Sequence, residues 1–410
     1  MQKRFTRPDW NWLSVLIALV GLVILLLELV FRLSSLTYHK LAWSEILINQ
    51  QSHSWHNIAA NPLGGPLLVL ERLTTYLDNA SAFWLRVPSV VAGMIAIWFF
   101  YYIIRRWFNR FTAVMSSLLL LTSALFLHVA RLAATDVLYL IAPLALIIYA
   151  TYSARRRATG AKQLPLWVPV GFLAVGLYIP AFIWLAIVLF IVQPNLLQIP
   201  WQNSSKAMRF FSILLALLLV VPLASALIRQ PDQLVRAWLG MGPLAHPSVM
   251  LHRLLDVPYN LFLSGPINRV LWLGRVPIIP VAITVLILLG AYELVIKRRR
   301  QGILLGSLLL VSWLVTAIGG ITPLALFIGP LYIIAAAGIR QLISQWFTVF
   351  PRNPFARGLG YAIIAAFCAI MVAYGWHEYY VAWPHNAGTH QVFIYNVNDA
   401  TTDVKGLLIQ

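Results

Sequence analysis

A chain of 410 residues that is 60% hydrophobic and only 10% charged cannot be an ordinary water-soluble globule, in which about a quarter of the residues carry charge. Its formal charge of +18 would suggest nucleic acid in a soluble protein. Here the basic residues stand in short clusters between apolar runs, which is membrane topology and no nucleic-acid footprint. The single cysteine, Cys368, excludes an intramolecular disulfide and a CxxC redox or zinc motif.

Mean hydropathy is +0.80, and the apolar runs approach the ~20 residues that a bilayer requires of a helix. Backbone groups facing lipid must be satisfied internally, so the expected architecture is an all-α polytopic bundle. Met1-Gln2-Lys3-Arg4 leads into apolar residues from Leu13 to Val30 without a small-residue cleavage site, which predicts an uncleaved first helix. Spans are expected near 12–33, 87–104, 111–127, 137–152, 166–192, 210–228, 277–296, 303–320, 322–339 and 359–378. The stretch 166–192 decides the topology. As one span it would place Lys297-Arg298-Arg299-Arg300 opposite Arg155-Arg156-Arg157; as two short spans broken near Pro180 it brings both runs to the cytoplasmic side. The count is then about 11 transmembrane helices, N-terminus inside and C-terminus outside, in the plasma membrane of a prokaryote. Residues 1–380 form one transmembrane domain with long outer loops at 34–86 and 229–276, and 381–410 form a short extracytoplasmic tail.

Two carboxylates near span ends have local partners one helical turn away, Glu28 with Arg32 and Glu293 with Lys297. In the first outer loop Leu67, Leu70, Leu73 and Leu77 recur at near-helical spacing beside Glu71, Arg72 and Asp78, predicting an amphipathic helix on the membrane surface. The second outer loop carries Arg229, Arg236, Arg253, Arg269 and Arg275 against Asp232 and Asp256. These arginines form an anion-binding surface or snorkel to lipid headgroups, and the sequence leaves both readings open. Gln391 to Val397 alternates weakly, like a strand. No internal repeat, Walker-type loop or dinucleotide fingerprint appears.

The outer turn His128 to Asp136 places Arg131 and Asp136 between two spans. Together with Leu85-Arg86-Val87-Pro88-Ser89 and Arg105-Arg106-Trp107-Phe108, it resembles the core of the dolichyl-phosphate-mannose-protein mannosyltransferase and aminoarabinose transferase superfamily, membrane glycosyltransferases of the GT-C fold. The resemblance covers roughly residues 30 to 155. It implies a GT-C-type bundle with a helical first outer loop, a lipid-linked sugar donor and a catalytic carboxylate in that loop. The family's Asp-Glu pair corresponds to Ser44-Glu45, and its His-Pro-Pro-Leu-like segment to Gly65-Pro66-Leu67.

Transfer from an isoprenoid-phosphate sugar needs a base for the acceptor proton and cations for the leaving phosphate. Glu45 is the expected base, with Asp136 as a second catalytic carboxylate. Arg131, then Lys40 and Arg86, are expected to grip the phosphate, because a guanidinium fork matches its oxygens. Trp43, His56 and Ser44 are candidate sugar or acceptor contacts. His53 and His56 lack a clear third ligand, so a divalent cation stays an open cofactor. The expected partners are an isoprenoid-phosphate sugar donor, membrane lipid and an extracytoplasmic acceptor, with no nucleic acid. Two other readings stay open: a catalytically silent relative that binds lipid-linked saccharide or scaffolds an envelope complex, favoured by Ser44, and a transporter or flippase.

Overall fold

A computed structural model describes Gly21 and residues 40–78, 81–160, 164–241, 246–265, 270–272, 274–319 and 324–396. Apart from Gly21, the expected first span at 12–33 with its Glu28–Arg32 pair lies outside the described residues, as do Arg269 and the last part of the tail.

The bundle is built around α15 (Ala325–Val349), which is buried on every side from Ala325 to Ile339. Small residues explain how close its neighbours come. A Cβ at Gly338 would strike the carbonyl of Leu286 on α13 (Val281–Lys297), and one at Gly290 would strike that of Ile334, so the two backbones touch directly. Around this pair stand α4 (Ala82–Trp107), α5 (Arg110–Leu121), α7 (Asp136–Thr159), α14 (Arg299–Gly319) and α16 (Pro354–His377), while α11 (Lys206–Arg229) packs against residues 167–176. Among the described residues six helices are long and apolar enough to cross a membrane, or up to eight if each of two bent pairs is one span.

One of those pairs replaces the straight span expected at 111–127. The chain bends by 66° between α5 and α6 (Ala124–Arg131). The cause is local: Ser123 caps α6, its Oγ accepting the Phe126 N–H at 3.4 Å, and a serine there starts a new helix.

The stretch 166–192 is interrupted, as expected. α8 (Trp167–Gly176) and α9 (Phe182–Val192) are each about 15 Å long against a hydrocarbon core of about 30 Å, and they are joined by a turn at 177–181. Its tip is satisfied by protein. Tyr178 O accepts the Gly64 N–H at 2.8 Å, Leu177 O accepts Trp238 Nε1 at 2.7 Å, and Ala181, at φ +63°, donates to Trp238 O at 2.9 Å.

The basic runs share one face of the bundle. Arg298 Nη1 donates to Trp107 O at 2.6 Å, and Trp107 Nε1 donates to Thr151 Oγ1 at 2.9 Å, which brings 105–106, 155–157 and 297–300 together. Glu293 and Lys297 form the expected one-turn ion pair, at 2.9 Å, and Lys297 also donates to Gln341.

The opposite face carries the first long loop, folded as α1 (Trp43–Ser52), α2 (Trp55–Ala60) and α3 (Gly65–Thr75). The second long loop holds α12 (Pro247–Phe262), a 16-residue helix. Leu251, Leu255 and Tyr259 are exposed along it. Of its arginines, Arg229 and Arg236 are exposed, while Arg253 is half-buried. The tail contributes α17 (Ala387–His390) and a strand, β2 (Tyr395–Asn396), which pairs antiparallel with β1 (Lys40–Leu41) in the register Lys40 to Asn396 and Leu41 to Tyr395.

Candidate active site

Glu45 lies at the third position of α1, and its carboxylate turns back to accept the Ala42 N–H at 3.0 Å, closing the helix N-terminus. The same carboxylate is gripped by Arg86 of α4: Nε donates to Oε1 and Nη2 to Oε2, both at 2.7 Å. Ala133 N–H adds a fourth bond, to Oε1 at 3.2 Å, and Arg86 Nη2 also reaches Lys40 O at 3.2 Å. Both side chains are fully buried. This ion pair therefore fastens three segments together: the entry strand, the start of α4 and the turn that follows Arg131.

Burial alone would push the Glu45 carboxyl up. The Arg86 charge and hydrogen bonds, with those from Ala42 and Ala133, outweigh burial and hold it below the usual carboxylate range. Each oxygen already accepts two hydrogen bonds, so the geometry offers an acceptor hydroxyl no free lone pair. The sequence reading gave Arg86 to the lipid phosphate; the structure places it on Glu45, inside the protein.

Arg131 sits at the end of α6 and is buried. Its guanidinium lies 4.8 Å from the ring centre of Trp383 and 5.8 Å from that of Tyr379, both from the turn after α16. His128, one turn earlier, packs its ring 4.5 Å from Trp383 and 4.8 Å from Tyr379. Ala42, Leu132, Ala134 and Phe393 complete this apolar cluster with Trp383. Tyr379, Trp383 and His128 escape the sequence reading. The signal available was the aromatic density of Trp376 to Trp383, read there only as the end of a span.

Asp136 opens α7 at the other side of the same turn, partly exposed. The Pro62–Gly65 turn rests against it. A Cβ on Gly64 would collide with Thr135, and Gly64 itself has φ +75°, so both the space and the backbone require glycine. Lys40 is exposed on β1, with Trp43 and Ser44 half-buried on α1 beside it; Trp43 packs 5.5 Å from Tyr395. His53 and His56 are exposed, on the far end of α1 and on α2. Among the described residues no three His, Cys, Asp or Glu side chains gather as metal ligands.

α3 is inverted relative to a soluble amphipathic helix. Leu70, Leu73, Tyr76 and Leu77 are exposed, as a membrane-surface helix requires, whereas Leu67, Leu68 and Glu71 are buried. Neither Glu71 oxygen has a hydrogen-bond partner. Its sequence neighbour Arg72 stacks over Tyr76 at 4.4 Å. Burial, and then the nearby Glu45 charge, push the Glu71 carboxyl well above the usual range and favour its protonated form. Because the folded state keeps this proton and the unfolded chain releases it at about pH 4.3, stability falls as pH rises from there through the raised value. Glu71→Gln is expected to flatten that decline and to stabilise the protein on the alkaline side. Thermal unfolding of both proteins across pH checks this, and parallel curves would refute it.

The comparisons agree with this architecture. Residues 63–226 match the family described as "Dolichyl-phosphate-mannose-protein mannosyltransferase". The crystal structure of ArnT from Cupriavidus metallidurans bound to undecaprenyl phosphate superposes with a TM-score of 0.53 and 13% identity, covering 96% of this chain and 78% of that one. The chain shares the fold of that polytopic helical membrane protein. The apo form of the same ArnT gives a TM-score of 0.55 at 13% identity, over 95% of this chain and 77% of that one. No curated protein sequence matches the chain. The family match begins inside the first loop and runs into α11, further along the chain than the 30–155 segment in which the sequence resemblance is legible.

Proposed function

We propose that this GT-C chain transfers a sugar from a polyprenyl-phosphate donor to an acceptor outside the cell, at the face that carries α1–α3. The observation that carries the reading is the family match over 63–226, which takes in Arg86 and the Arg131–Asp136 turn. The orientation with the basic runs inside follows the positive-inside rule. Arg131 serves the leaving phosphate from its aromatic seat, and Lys40, exposed at the rim, adds a point charge. Asp136 takes the acceptor proton, because Glu45 is committed to Arg86 and two backbone amides. Glu45 then acts as a positioning residue that holds the Ala133 amide, two residues from Arg131.

The test is turnover of radiolabelled polyprenyl-phosphate sugars by the reconstituted protein. Asp136→Asn is expected to lower turnover by about 10²-fold or more with the fold intact, while Arg131→Gln weakens donor binding. Full activity in Asp136→Asn would remove Asp136 as the base. The second reading, a silent relative that binds the lipid-linked saccharide without consuming it, is favoured by Ser44 at the family's first acid position and by the saturated Glu45. Saturable donor binding without turnover over a range of acceptors would decide for it.

A further inference from the structure

The bend between α5 and α6 releases backbone oxygens into the bundle. Ser123 N–H turns to Leu120 O at 3.1 Å instead of Leu119 O, and Phe126 N–H goes to Ser123 Oγ instead of Thr122 O. The carbonyls of Leu119 and Thr122 thereby lose their ordinary donors, at the negative end of the α5 dipole. α16 accommodates one of them: a Cβ on Gly375 would strike the Thr122 carbonyl oxygen, so the glycine lets that oxygen reach across.

These groups border a recess of about 20 Å³, lined among others by Leu119, Thr122, Ser123, Tyr332, Tyr374 and Glu378. That is room for one water-sized occupant. Glu378 is 8% exposed, and its Oε1 has no hydrogen-bond partner. The Tyr332 and Tyr374 side chains also border the recess. No cationic side chain lines the recess among the described residues. α5 begins at Arg110 on the basic face and runs 12 residues, about 18 Å, so the bend stands beyond the middle of a ~30 Å hydrocarbon core.

A carboxylate oxygen, released helix-end carbonyls and hydroxyls, with no positive partner, make a hard oxygen donor set around a space for one small occupant. One negative charge matches a monovalent ion, and broken-helix ends are used to coordinate Na⁺ inside membranes. We propose that Glu378 and the carbonyls of Leu119 and Thr122 form a sodium site that pins the α5–α6 bend to α16. The ion sits at the start of α6, whose other end carries Arg131, so its occupancy sets the position of that guanidinium. This site stands independently of the transfer reading.

The experiment uses the full chain, purified in detergent. Sodium is exchanged for potassium or choline at constant ionic strength while thermal unfolding and binding of radioactive sodium are followed. Sodium alone is expected to raise Tm saturably, by about 2–4 °C, with one ion bound per chain. Glu378→Gln should abolish both effects, whereas Tyr374→Phe, which removes a single hydroxyl, should retain binding more weakly. Equal Tm in the three salts, or a sodium response unchanged in Glu378→Gln, would overturn the proposal and leave a recess for water. Should Glu378→Gln fail to fold, the wild-type salt series and ion stoichiometry decide alone.

Discussion

Arg86→Ala is expected to cost about 3–5 kcal/mol, the loss typical when one partner of a buried ion pair is removed. The reason is what stays behind. Glu45 would remain fully buried, retaining the Ala42 and Ala133 amides but no countercharge, and Lys40 O would lose its donor. Arg86→Lys should recover little, because one ammonium cannot bond Oε1 and Oε2 as two parallel N–H groups do. Glu45→Gln in the Arg86→Met background should restore a substantial part, since both buried charges are then gone and the glutamine carbonyl can still accept from one of the two amides. A double-mutant cycle on thermal unfolding measures this. Additive losses in the cycle would mean that the two side chains act independently and that the clamp is not a unit. The cycle also bears on transfer assays. Glu45→Gln alone unpairs Arg86, so any activity it loses has to be read beside its stability.

Trp383→Ala should be comparably damaging, about 3–5 kcal/mol for a buried tryptophan. Trp383 is 2% exposed and packs against His128, Phe393 and the Arg131 guanidinium. Its removal opens a cavity beneath the tail and strips Arg131 of its closer aromatic support. Trp383→Phe keeps a ring over the guanidinium and should lose markedly less. The measurement is thermal unfolding together with donor affinity. In Trp383→Ala both should fall, and loss of stability with unchanged affinity would separate the aromatic seat from phosphate binding.

Most of the bundle is legible from hydropathy because lipid imposes one rule on every span: long apolar runs with internal hydrogen bonds. The breaks are harder to read. Ser123 is a helix cap inside an otherwise apolar run, and its weight depends on where Phe126 finds a hydrogen-bond partner. The hairpin at 177–181 was readable through topology, since the basic runs at 155–157 and 297–300 could share a face only if the chain turned back there. The motif residues were recognisable as a set, yet what each one touches was not. Arg86 looks like a phosphate ligand until the fold brings Glu45 to it from 41 residues away. Glu71 looks like the polar face of a surface helix, but here the environment outside α3 is apolar and the carboxyl is on the protein side. Tyr379 and Trp383 could not be assigned at all, because their partner Arg131 lies more than 240 residues earlier in the chain, and long-range packing leaves no local pattern.

The two-residue ladder between Lys40–Leu41 and Tyr395–Asn396 also has a consequence for biogenesis. A ribosome adds Tyr395 and Asn396 only after the helices of the bundle have been made. Until then the entry strand has no partner, and the Ala42, Leu132 and Ala134 surface beneath Trp383 stays uncovered. Closure of this pocket can therefore follow only after the helices of the bundle have been made.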